Sequence, residues 1–164
     1  WEGAITAESP TNPLSLYGIA KNSLRQALEV FLKDKDVSFH WLRGYYIYGN
    51  DYRSNSVLGK ILAADKEGKE LFPFTSGKNL YDYISVEELA RQIVVASLQE
   101  KYTGIINCCS GVPISLSEMA EKFIRDNGLS IKLQYGAFPD RPYDSPGVWG
   151  DASLIQKILA ECEE

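Results

Sequence analysis

The sequence predicts an α/β fold built on a parallel sheet with flanking helices. Three observations carry this. Segments with apolar residues at helical spacing alternate with short apolar runs, those runs are closed by glycine or small polar residues, and the helical segments open on capping residues. The 164 residues, 45% apolar and 24% charged, are enough for one domain with a real core.

The first dozen residues read as loop, ending in Ser9-Pro10-Thr11-Asn12-Pro13. Asn12 is the expected N-cap and Pro13 the first helical residue, where a missing N–H costs nothing. Ala20, Leu24, Ala27, Leu28, Phe31 and Leu32 then recur at helical spacing, so the helix should run to about Lys33. Residues 37–42 are short, apolar and aromatic, a buried strand followed by Gly44. Val57, Leu58, Ile61 and Leu62 make a second, shorter helix, and Gly68, Pro73 and Gly77 punctuate short strands and turns. Ser85 with Glu88 reads as a capping box opening a third helix over Val86, Leu89, Ala90, Ile93, Val94 and Leu98. Residues 104–109 form a second buried strand, closed by Ser110-Gly111. Ser115 with Glu118 is another capping box, and Asn127-Gly128 supplies that helix's stop. Residues 131–135 alternate like a strand, residues 138–150 read as loop, and Asp151 caps a last helix through Leu154, Ile155, Ile158 and Leu159.

Several function classes are excluded at this level. The net charge of −5 and the lack of a basic stripe argue against nucleic acid, while leaving room for an anionic small molecule held by a few arginines or lysines. Cys108, Cys109 and Cys162 show no metal-ligand spacing, and His40 is the lone histidine, so zinc, disulfide and Cys/His protease readings fail. Reduced, inert thiols in a cytoplasmic protein are the expectation, with no membrane span and no signal peptide. The opening Trp1-Glu2-Gly3 carries neither Met nor a turn signal, as expected of a piece of a longer protein.

The chemistry-bearing pair is Tyr17 and Lys21, one helical turn apart and therefore on one face. A free tyrosine, with a pKa of about 10, exchanges protons poorly near neutrality. A neighbouring cation stabilises the phenolate and makes proton transfer with a sugar hydroxyl feasible. The spacing alone is equally that of an ordinary surface pair on an amphipathic helix.

Five motifs in order give the pair its context. These are the Pro10/Pro13 entry to Tyr17-x-x-x-Lys21, Arg43-Gly44-Tyr45-Tyr46-Ile47-Tyr48-Gly49, Tyr81-Asp82-Tyr83-Ile84-Ser85-Val86, residues 107–111, and Arg141-Pro142-Tyr143-Asp144. Together they resemble the C-terminal portion of the extended short-chain dehydrogenase/reductase family, the NAD-dependent nucleotide-sugar epimerases, dehydratases and ketoreductases. The resemblance implies the last strands of a Rossmann-type sheet plus a small substrate-binding lobe. It implies Tyr17 as acid/base, Lys21 as the residue that tunes it and holds the nicotinamide ribose of NAD or NADP, and Arg141 on the substrate's pyrophosphate. It also implies a homodimer in which the Tyr17 helix packs.

This chain departs from the pattern at two substrate positions: Tyr46 stands where the family often has Asn, and Tyr81 where it often has Arg. Lys60 or Lys78 would then supply the missing charge. The aromatic cluster Tyr45, Tyr46 and Tyr48 fits either stacking on a base or sugar or simple core packing. Asp144 and Asp151 are expected to organise loop and cap. No glycine-rich dinucleotide turn is present in residues 1–164, so the cofactor-binding half is expected to lie outside this chain and the chain alone to be inactive. The rival reading is a non-catalytic nucleotide-sugar or protein-interaction module on the same scaffold.

Overall fold

A computed structural model describes residues 2–49, 55–140 and 144–162. The elements run β1 (Gly3–Ile5), α1 (Leu16–Leu32), β2 (His40–Gly44), β3 (Tyr46–Tyr48), α2 (Val57–Lys66), β4 (Leu71–Pro73) and β5 (Leu80–Ser85). They continue α3 (Val86–Leu98), β6 (Gly104–Cys108), β7 (Pro113–Ser115), α4 (Leu116–Asp126), β8 (Lys132–Gln134), β9 (Gly147–Gly150) and α5 (Ser153–Cys162).

The α/β expectation holds, and parallel pairing dominates. β1, β9, β5 and β3 hydrogen-bond in that order, with β7 antiparallel on β5. β2 pairs with β6, and β4 with β8, both in parallel. Two apolar clusters divide the interior. One gathers Ile84, Leu89, Ala96, Ile106, Cys108, Ile155 and Ile158, where α3 and α5 cover the sheet. The other gathers Leu58, Ile61, Leu62, Phe74, Met119, Phe123 and Ile131, joining α2 to α4 in a smaller lobe.

Two stretches read as loop are strands. Residues 3–5 form β1 and residues 147–150 form β9, and the two pair in register, Gly3 with Val148 through Ile5 with Gly150. Each is too short to show alternation, and each acquires its conformation from the other across the chain. Gly150 is required there, because a Cβ would fall 2.5 Å from Cys109 Sγ and 2.8 Å from the Tyr45 ring.

The caps also sharpen. Ser15, not Asn12, begins α1: its side chain accepts from Gly18 N at 3.1 Å. Pro13 instead packs over the first turn, where a Cβ at Gly18 would lie 3.0 Å from Pro13 Cβ, a tight contact. At Ser115 both bonds of the capping box form. At Ser85 only half does, since Glu88 N donates to Ser85 Oγ while the Glu88 carboxylate turns to Arg91 and Gln92. Asp151 meets its expectation by accepting from Ser153 N at 2.9 Å.

Candidate active site

α1 carries Tyr17 and Lys21 at the end of a loop that leaves β1. That loop is held by two side chains at paired positions of β2 and β6. Arg43 Nη1 donates to Thr6 O at 3.2 Å, and Asn107 Nδ2 donates to Ile5 O at 2.8 Å. Consecutive carbonyls at the end of β1 are thereby tied to the neighbouring strand pair, which sets where the chain enters α1. Burial lowers the Arg43 pKa below that of a free guanidinium.

Tyr17 and Lys21 lie one turn apart, with Lys21 Nζ 6.0 Å from the Tyr17 ring centroid. Tyr17 is 74% exposed. No residue of α1 is buried, although Leu16, Ile19, Leu24, Val30 and Phe31 are all apolar. Beneath the helix is a cavity of about 340 Å³ lined by Lys21, Asn22, Arg25, Trp41 and Arg43 together with the residues leading into the helix. Its lining holds cations and amides and no carboxylate, which suits the hydroxyls at the ribose end of a cofactor. The fit is to that end alone, because a glycine-rich pyrophosphate cradle is absent from residues 1–164.

A second cavity, also about 340 Å³, opens in the smaller lobe. Phe72, Phe74 and Phe138 give it apolar walls, Asn79 and Tyr81 one polar edge, and Lys60, Asp140 and Asp144 its charges. Asp140 accepts from Ser76 N at 3.1 Å, and its bonds to Ser76 lower its pKa below the usual carboxylate value. Lys60 thus reaches the cavity, whereas Lys78 is not among its lining residues.

Tyr46 and Tyr81 come together beside this cavity. Their ring centroids are 4.4 Å apart at 43°, and Tyr83 completes a trio at 5.8 Å from Tyr46 and 6.1 Å from Tyr81. Register explains it: Tyr46 pairs with Tyr83 across β3 and β5, and Tyr81, two residues earlier, shares that face. Burial, then Tyr81 and Asp144, push the Tyr46 phenol up. The other tyrosines of the predicted cluster part company. Tyr45 packs on the sheet core beside Cys109 and Gly150, and Tyr48 on the lobe core.

Asp82 is fully buried on β5. Its carboxylate accepts from Ser110 N, Ser110 Oγ, Gly111 N and Gly150 N at 2.6–3.1 Å. It holds the ends of β6 and β9 to β5. The sequence signal was available: one carboxylate in a strand otherwise aromatic and apolar. The phenylalanines of the lobe cavity carried no such signal, because 72, 74 and 138 converge only in three dimensions.

Arg141 lies outside the described residues. Cys108 and Cys109 are buried, their thiols pushed up by burial to about 11 and about 12, as inert thiols should be. Among the described residues no helix is long and apolar enough to cross a membrane, and no cluster of metal-ligating side chains is gathered.

The parallel-dominated sheet with its flanking helices and smaller lobe is the architecture that comparison with known proteins also finds. The family model described as the NAD dependent epimerase/dehydratase family matches residues 2–109, and the chain belongs to that family. It is 47% identical over 149 residues to dTDP-6-deoxy-L-talose 4-dehydrogenase (NAD(+)) of Aggregatibacter actinomycetemcomitans, covering 90% of this chain and 55% of that one. It is 26% identical over 178 aligned positions to UDP-arabinose 4-epimerase 1 of Arabidopsis thaliana, covering 94% and 42%. The chain therefore spans about half the length of the curated relatives it matches. Among solved structures it resembles UDP-glucuronic acid 4-epimerase from Bacillus cereus with UDP-glucuronic acid and NAD bound. The TM-score is 0.79 at 22% identity, over 98% of this chain and 51% of the other. UDP-N-acetylglucosamine 4-epimerase from Methanobrevibacter ruminantium gives a TM-score of 0.77 at 25% identity, over 92% and 49%.

Proposed function

We propose that this chain is the substrate-binding and proton-transfer portion of an NAD-dependent dehydrogenase or reductase acting at C4 of a thymidine-diphosphate-linked 6-deoxyhexose. The 47% identity to the 6-deoxy-L-talose 4-dehydrogenase carries this reading. In it, the dinucleotide-binding half lies outside residues 1–164, and the unburied face of α1 is the surface it completes.

The residues divide the work. The Tyr17 phenol oxygen takes or returns the proton of the reacting sugar hydroxyl. Lys21 stabilises the phenolate and hydrogen-bonds the cofactor's ribose. In water a cation and an anion a few ångströms apart attract by about 1 kcal/mol, against several when water is excluded. Covering α1 is what would turn an exposed pair into an effective one. The nicotinamide, when bound, supplies or accepts the hydride at the same sugar carbon. Lys60 and Arg141 are proposed to hold the diphosphate, and Phe72, Phe74 and Phe138 to wall the nucleoside. The homodimer belongs to the same proposal, with α1 as its apolar contact.

The test is turnover of the full-length protein on the thymidine-diphosphate 6-deoxysugar, followed by NADH absorbance. Tyr17→Phe should lower kcat by about 10²- to 10⁴-fold with KM nearly kept. Unchanged turnover overturns the role of Tyr17. Residues 1–164 alone should show none, and sustained activity from them would refute the division of the site.

A further inference from the structure

The tyrosine pair at 46 and 81 is unlike the rest of the lobe cavity. Tyr81 lines the cavity, and Tyr46 packs against Tyr81 while remaining 46% exposed. Tyr83 is packed against the lobe core and flanks the pair on the same face of the sheet. With the Tyr46 and Tyr81 ring centroids 4.4 Å apart and Tyr83 in register with Tyr46, three strand-borne tyrosines form a continuous aromatic surface. Tyr81 lies on the cross-strand row that runs to β1, the strand before α1. Tyr81 is opposite Val148, and Val148 is opposite Gly3 of β1.

Asn and Arg at these positions would offer amide and guanidinium donors to a diphosphate. Two phenol rings offer π faces instead, which bear partial negative charge and favour C–H groups. A methyl group laid on such a face loses nothing to water. A hydroxyl laid there gives up its water hydrogen bonds, at a cost of about 1–3 kcal/mol if no partner replaces them.

We propose that the Tyr46–Tyr81 pair is a specificity wall that receives the C–H face and C6 methyl of a nucleotide-linked 6-deoxyhexose and disfavours hexoses hydroxylated at that carbon. It rests on the function proposed above and adds which atoms of the sugar are read and by what.

The experiment compares thymidine-diphosphate-linked 6-deoxyhexose with the same nucleotide carrying the 6-hydroxylated hexose, using the full-length protein. The wild type should prefer the deoxysugar by about 10- to 100-fold in kcat/KM, the range an apolar surface can deliver against an added hydroxyl. Tyr46→Phe/Tyr81→Phe keeps the rings and should keep the preference. Tyr46→Asn/Tyr81→Arg should reduce it to within about threefold. Saturation-transfer NMR on the same nucleotide sugar supplies a readout independent of turnover. The sugar methyl signal should fall by at least about half in Tyr46→Asn/Tyr81→Arg while the thymine signal is kept.

Absent turnover with a methyl signal that depends on the pair defeats the proposed reaction and leaves the wall standing. Turnover with unchanged preference and unchanged methyl signal in Tyr46→Asn/Tyr81→Arg overturns the wall alone. No binding of either nucleotide sugar overturns both.

Discussion

Two helices of this chain start from similar sequence signals and meet different fates. α4 and α1 both open on a serine whose side chain accepts from the third residue on, and both carry apolar residues at helical spacing. α4 buries Met119, Ala120, Phe123 and Ile124 against α2 in the lobe core. α1 is longer, at 17 residues, and has no fully buried residue. The amphipathic pattern states that a helix has a face to hide, and only the fold states what hides it. For α4 the answer is inside this chain. For α1, which carries Tyr17 and Lys21, the proposed answer is the dinucleotide-binding half and a second copy.

Cutting the core on each side should expose that difference most strongly. Phe123→Ala should lower stability by about 3–5 kcal/mol in urea unfolding, the usual cost of a buried aromatic removed. Val30→Ala, at a position 78% exposed on α1, should change it by less than about 0.5 kcal/mol. Comparable losses from both would mean that α1 is packed after all.

Asp82 ties the sheet that leads to α1 to the strand that lines the lobe cavity. Asp82→Asn leaves two of its four donors facing an amide N–H₂ instead of an oxygen, whichever way the amide is turned. A loss of about 2–3 kcal/mol is expected, read as a lower urea midpoint with an unchanged m-value. An unaltered midpoint would show that the clamp contributes little.

The caps give the smallest effect. Ser115→Ala should cost about 1 kcal/mol, the usual worth of an N-cap on a packed helix, and Ser15→Ala on the unburied α1 only a few tenths. This part of the comparison also depends on pH. The Ser115 backbone bond, then its side chain, hold the Glu118 pKa below the usual carboxylate value. Its contribution is therefore complete above about pH 4.5 and is lost as the pH falls through the lowered folded value. Part of the gap between wild type and Ser115→Ala should close over that acid interval, and a gap constant down to pH 3 would refute the linkage.

Most helices were legible because periodicity and capping are local: Ser85, Ser115 and Asp151 each accept the backbone N–H expected of them. The parallel strands at residues 40–44 and 104–108 were legible as apolar runs, shifted by a few residues at the first. β1 and β9 were not, because three or four residues without alternation become strand only through pairing with each other. The Tyr17–Lys21 turn could be read from spacing and motif order. The meeting of Tyr46 with Tyr81 could not, since it depends on the register of β3 against β5.

By itself, then, the sequence determined the alternation of elements, the family and the placing of Tyr17 and Lys21 on one helical turn. Those are properties of neighbours along the chain, where spacing translates directly into geometry. Only the tertiary structure decided that the lobe closes on its own core while α1 keeps no residue fully buried, and that Tyr46 and Tyr81 meet as a pair. Burial and long-range register are set by which surfaces meet, and no local pattern encodes the partner.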